Sequence, residues 1–154
     1  MEQDVRYRQQ LVQECEQAAR PLFSYLPWLE GIGGTVPSST YAGQELAGHS
    51  MTFPVYDGNL MRFVKEAAKS PLMDRNYRYL YTRKRLKTPD DERKAIAAAT
   101  WKEWDVLRGI LSRYVLEGMV KGSLWNQAVK ENIFYLVLRQ MKFVLQYWGK
   151  PFAD

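Results

Sequence analysis

Apolar positions recur every three or four residues along most of this chain, and the clearest run lies in Thr100–Trp148. Trp104, Leu107, Leu111, Tyr114, Val115 and Gly118 fall on one face of a helix, with Lys102, Asp105, Ser112 and Arg113 opposite. Thr100-Trp101-Lys102-Glu103 has the spacing of a capping box, so the Thr100 hydroxyl is expected on the Glu103 amide. A second helix is predicted from about Ile133, with Phe134, Val137, Leu138, Met141, Val144, Leu145 and Trp148 on one stripe. Leu136, Phe143 and Tyr147 cluster on its other side. A helix apolar on two faces is buried on two faces, either centrally in a bundle or against a symmetric copy of the chain.

The other elements are weaker. Glu2–Ala19 predicts a helix with a thin stripe (Val5, Val12, Cys15, Ala19), which Pro21 is expected to interrupt or restart. Leu22, Phe23, Tyr25, Leu26, Trp28 and Leu29 form an apolar knot around Pro27 that should dock on the C-terminal core. Gly31–Ser50 reads as a long glycine-rich loop. Its Gly31-Ile32-Gly33-Gly34 lacks the flanking strand, helix and lysine of a phosphate cradle, so a flexible tether is the stronger reading. Met51–Tyr56 is extended, Leu60–Lys69 is a helix with Leu60, Phe63, Val64 and Ala67 inward, and Ser70-Pro71 stops it. Leu72–Lys87 fits a helix better than a strand. Thr88-Pro89-Asp90-Asp91 starts the next helix, through Ile96 to Ala99, with its acids at the positive end of the dipole. A short helix follows over Leu124–Glu131, ended by Asn132.

The fold class expected is mainly α: a single compact helical bundle of about five to seven helices, with the glycine-rich loop and at most a short extended segment near 51–56. One domain spanning 1–154 is expected, made of an N-terminal helical arm (1–29), a flexible loop (30–50) and a core (51–148). At 154 residues, with 46% hydrophobic and 25% charged positions, the chain is long enough to bury a core and is not of disordered composition. Five Trp and ten Tyr load that core, or an interface, with flat side chains. Cys15 is the only cysteine, better suited to a half-apolar helix face than to reactivity. The start of the chain has no signal-like run, and Ile133–Leu138 is far too short to cross a bilayer, so no membrane association and a cytoplasmic location are expected.

Net charge is +5 and unevenly spread. Residues 1–30 carry a net of −2, whereas residues 71–94 carry a net of +4. Between Arg75 and Lys87 there are six Lys/Arg and no acid: Arg75, Arg78, Arg83, Lys84, Arg85 and Lys87, interleaved with Tyr77, Tyr79 and Tyr81. Arginines pair phosphates and tyrosines stack bases, so the segment suits a nucleic-acid surface, formed by Arg75, Arg78, Tyr79, Arg83, Lys84, Arg85 and Lys87. The plainer reading is a solvated face, or cations paired to the chain's own acids.

Chemistry is thinly provided. His49 is the only histidine, no Cys/His grouping has metal-ligand spacing, and no nucleophile elbow or P-loop is present. The acids Asp90, Asp91 and Glu92 are explained by the helix dipole. No catalytic residue, metal or cofactor is therefore expected, and the protein is read as a non-enzyme.

Phe53-Pro54-Val55-Tyr56-Asp57, Leu60-Met61-Arg62-Phe63-Val64 and Leu72-Met73-Asp74-Arg75-Asn76-Tyr77 resemble a bacterial family of unknown function, the DUF6508-type proteins. So do Ile110-Leu111-Ser112-Arg113-Tyr114-Val115, Gly118-Met119, Leu124-Trp125 and Ile133. The resemblance covers about residues 50–148 and departs from the family at Leu116-Glu117-Gly118-Met119, where a short charged stretch is more usual. It implies a small, mainly helical accessory protein of a mobile element or phage, with no catalytic residues to carry over. The leading expectation is a binding protein for nucleic acid or a nucleoprotein. The alternative is a protein-interaction factor, such as an anti-defence (anti-CRISPR-like) inhibitor or adaptor, using exposed aromatics and a homodimer face at Leu136, Phe143 and Tyr147. A small enzyme with a site between the 51–57 segment and the C-terminal helices comes third.

Overall fold

The computed structural model describes residues 2–32, 38–40, 54–56, 58–121 and 123–148. The mainly α expectation holds, with eight α-helices among the described residues. They are α1 (Glu2–Phe23), α2 (Leu26–Ile32), α3 (Gly58–Ala68), α4 (Tyr77–Lys84), α5 (Pro89–Ala98), α6 (Trp104–Ser112), α7 (Ser123–Lys130) and α8 (Ile133–Trp148). The count exceeds the five to seven expected because the Leu22–Leu29 knot folds into a helix of its own, α2. Two three-residue strands, β1 (Ser38–Thr40) and β2 (Pro54–Tyr56), pair antiparallel with Ser39 opposite Val55. The extended segment near 51–56 thus has a partner from within the stretch read as a loop. His49 and the Gly33-Gly34 part of the apparent cradle lie outside the described residues.

The centre of the bundle is α8. It packs against α1, α2, α5, α6 and α7, and Ile133, Phe134, Val137, Leu138 and Met141 are fully buried. Phe63 of α3 meets Phe134 edge-on at 4.9 Å and Tyr25 at 5.3 Å, tying the N-terminal knot to the core as its composition predicted. On α3, Leu60, Phe63, Val64 and Ala67 all point inward, as the spacing required.

Three local expectations are corrected. Helix α1 runs through Pro21 to Phe23 instead of breaking there. Pro21 has no N–H to give the carbonyl one turn back, and the complete burial of Ala19 and Leu22 on either side of it holds the turn in place. The Thr100 box is also absent. Its hydroxyl donates to the Glu103 carboxylate at 3.3 Å, while the Glu103 amide bonds the Thr100 carbonyl at 3.0 Å to make a 3-10 turn over Trp101–Glu103. The reciprocal box forms one element earlier, where the Asp91 amide donates to the Thr88 hydroxyl at 3.1 Å and the Thr88 amide to the Asp91 carboxylate at 3.2 Å.

The third correction concerns Leu72–Lys87, where only Tyr77–Lys84 is helical. Tertiary bonds claim the backbone before it: Arg108 donates to the carbonyls of Leu72 and Met73 at 3.0 and 3.4 Å, and the Asp74 amide donates to the Ser112 hydroxyl at 2.7 Å. Ser112, assigned to a solvent face by spacing, is consequently fully buried. The helix after Trp104 also changes pitch, becoming a π-helical turn over Arg113–Glu117. That turn leads to Gly118, whose missing side chain makes room for the Trp125 indole; Trp125 Nε1 donates to the Val115 carbonyl at 3.3 Å.

Candidate nucleic-acid interface

Helix α4 divides its side chains by depth. Tyr77 and Leu80 are buried and Tyr81 is half-buried, whereas Arg78, Tyr79, Thr82, Arg83 and Lys84 are exposed. Tyrosine stacking expected of all three positions is therefore left to Tyr79 alone, which is 61% exposed. Arg85 ends the helix in the left-handed region at φ 55°, and the Leu86 amide bonds back to the Tyr81 carbonyl at 3.0 Å. This reversal carries Arg85 and Lys87 onto the same side as Thr82, around an open depression of about 500 Å3 that Tyr81 and Leu86 also line.

Of the six cations, Arg83 is paired: it bonds Asp105 at 2.7 Å, with both side chains about half exposed, and lies 5.7 Å from the Tyr79 ring centre. Arg75, Arg78, Lys84, Arg85 and Lys87 form no ion pair among the described residues. Arg78 lies 5.9 Å from the Tyr77 ring centre. Part of this charge has a local purpose, since Arg83 and Lys84 occupy the last turn of α4 and complement the helix dipole. Arg75, Arg85 and Lys87 lie outside that helix.

The second face of α8 separates into differently placed residues. Leu136 is half-buried against the core, Phe143 is 59% exposed, and the side chain of Tyr147 lies outside the described residues. Leu136 and Phe143, seven residues apart, keep to one side of α8, the first partly covered and the second open.

A feature that sequence reasoning missed lies directly beneath the ridge. Glu92, taken with Asp90 and Asp91 as a dipole acid, is 1% exposed. Its carboxylate accepts hydrogen bonds from Tyr81 Oη at 2.5 Å, Tyr114 Oη at 2.6 Å and Arg113 Nη1 at 3.0 Å. The Arg113 guanidinium lies over the Tyr81 and Tyr114 rings at 5.2 and 4.9 Å and reaches Glu117 at 3.6 Å. Burial first, then the neighbouring carboxylate, pushes both phenols above their ordinary range. Burial opposes the Arg113 charge, but the groups around it, of which Glu92 carries the negative charge, outweigh burial and shift its pKa upward. Each member satisfies another, so the cluster braces the helix above it and keeps the Glu92 carboxylate closed off from solvent. The available signal was spacing: Glu92, Ala95-Ile96 and Ala99 make an i, i+3/i+4, i+7 row that places an acid on the buried face.

No His/Cys/Asp/Glu group able to hold a metal ion exists among the described residues, and no described helix is long and apolar enough to cross a membrane. No family model matches the chain, and no curated protein or solved structure matches it either. Among the residues that carry the resemblance to the DUF6508-type proteins, Phe63, Val64, Tyr114 and Val115 are fully buried and Gly118 faces Trp125, whereas Arg62, Arg75, Asn76 and Met119 are exposed.

Proposed function

We propose that the protein is a non-enzymatic binding protein that grips the sugar-phosphate backbone of nucleic acid, alone or within a nucleoprotein, through Arg75, Arg78, Tyr79, Arg83, Lys84, Arg85 and Lys87. The observation that carries this reading is five cations on and around one short helix with no ion pair among the described residues, beside an outward tyrosine. Exposed Lys and Arg supply the salt-sensitive affinity of backbone binding, and one aromatic supplies sequence-tolerant stacking. The DUF6508-type resemblance adds a setting, an accessory factor of a mobile element or phage.

The test is fluorescence anisotropy with mixed-sequence single- and double-stranded oligonucleotides at two salt concentrations. Arg78→Glu, Lys84→Glu and Lys87→Glu together leave the Arg83–Asp105 pair and the buried cluster intact. They should abolish most binding and lower the salt slope by about one for each phosphate no longer neutralised. Binding that is absent at low salt, or indifferent to the triple reversal, rejects the proposal. A second reading, a protein-interaction factor of the anti-defence kind, is favoured by the apolar tip between α6 and α7, where Met119 is 47% and Val120 86% exposed. Capture of one protein that survives nuclease treatment and is lost in Val120→Asp would select it.

A further inference from the structure

The turn that ends α4 is made by a residue ill suited to it. Arg85 lies in the left-handed region at φ 55°, with its amide on the Thr82 carbonyl at 3.3 Å and the Leu86 amide on the Tyr81 carbonyl at 3.0 Å. Glycine or asparagine ordinarily ends a helix this way, because a longer side chain crowds its own backbone there. Asn132, just after α7 at φ 62°, follows that habit and is the other non-glycine residue of positive φ among the described residues. Arginine therefore stands at 85 against the preference of the turn, and puts a guanidinium where glycine would put none.

The same reversal gathers Tyr81, Thr82, Arg85, Leu86 and Lys87 around one open depression of about 500 Å3. Tyr81 and Leu86 are half-buried against the core and give it an apolar floor, whereas Thr82, Arg85 and Lys87 are exposed. Neither Arg85 nor Lys87 is in an ion pair among the described residues. Every group needed here is thus open to solvent at least in part. A phosphate alone would use the two cations and leave the floor unmatched. A flat ring carried between two phosphates matches both, and that is the shape and charge of an unpaired nucleotide. In a duplex the bases are paired and stacked, so only its backbone would cross the ridge and the floor would stay uncovered.

We propose that the ridge takes single-stranded nucleic acid, with one unpaired base lodged in this depression against Tyr81 and Leu86 and its flanking phosphates held by Arg85 and Lys87. The inference rests on the ridge binding nucleic acid and adds the form it binds. The depression is of the size of small-molecule sites, which are apolar with a few polar groups at the rim.

Anisotropy on the full chain at low salt would compare an oligothymidylate, a strand of equal length with every base removed, the duplex with oligoadenylate, and an oligouridylate. The oligothymidylate should bind about tenfold or more tighter than the abasic strand, which keeps every phosphate, and tighter than the duplex. Tyr79→Ala should lower affinity yet keep a preference for the strand with bases, because the depression is untouched. Thr82→Gln, which narrows the depression from an exposed helical position, should remove most of that preference. Arg85→Gly should weaken the oligothymidylate while the thermal midpoint holds or rises, since glycine relieves the left-handed turn. The tighter of oligothymidylate and oligouridylate names DNA or RNA as the source of the strand. The inference falls, and the ridge reading stands, if the abasic strand or the duplex matches the oligothymidylate, if Tyr79→Ala abolishes the preference for bases, or if Arg85→Gly leaves affinity unchanged. Both fall if no strand binds.

Discussion

Glu92 shows how much a single side chain can decide. It sits between three donors, with Tyr81 from α4 and Arg113 and Tyr114 from the π-turn. Glu92→Ala would leave a half-buried guanidinium and two inward hydroxyls without their acceptor, a loss of about 3–5 kcal/mol in urea unfolding. Glu92→Gln keeps an acceptor and should cost less. Raised phenol pKa values fix the alkaline behaviour as well. Tyr81 and Tyr114 stay protonated in the folded chain while an unfolded chain releases their protons near pH 10, so the unfolded state binds fewer protons and stability falls as pH rises through that point. Absorbance at the tyrosinate band should show two phenols that ionise only with loss of the near-ultraviolet circular dichroism; smooth ionisation of all tyrosines without unfolding would contradict it. Nothing in the residue types announced this cluster. An acid a few positions after a helix-starting proline is common, and only its register with Ile96 marked it as inward-facing.

At the scale of elements, legibility followed the number of consistent local signals. Helix α5 had cap, proline and acids together and formed as expected, whereas the Thr100 stretch had the right letters and made a 3-10 turn, because its backbone closes on itself one residue earlier. Thr88→Ala should cost about 1 kcal/mol, and Thr100→Ala much less, since only the first hydroxyl accepts from a backbone amide. Asp91 contributes a pH dependence of opposite sign to the tyrosines. Hydrogen bonds from the Lys87 and Thr88 amides hold its carboxyl below the ordinary 3.8, so the stabilisation is present above that value and is lost as pH falls through the lowered one. Asp91→Asn should flatten the acid limb of a stability profile. The crossing of α4 and α6 depends on Gly109, where a methyl group would fall inside the Leu80 side chain. Gly109→Ala should therefore destabilise by about 1–3 kcal/mol despite its better helix propensity. Periodicity placed this glycine on a helix but carried no sign of the neighbour pressed against it.

For the molecule as a whole, the C-terminal stripe located the core and the charge count located the ridge, while the depth of each tyrosine and the pairing of Arg83 needed coordinates. Phe134 lies where α3, the π-turn and α8 converge, with Phe63 at 4.9 Å and Tyr114 at 6.3 Å. Phe134→Ala should cost about 3–5 kcal/mol and lower the cooperativity of thermal unfolding. The position of α8 also bears on biosynthesis. Five helices rest on an element that follows every one of them in the chain. Domains gain structure as a unit while the ribosome extends them, so the preceding helices emerge with apolar faces uncovered and must wait until translation has passed Trp148. A message truncated before Ile133 would yield no smaller folded version, only a sticky chain for chaperones and proteases.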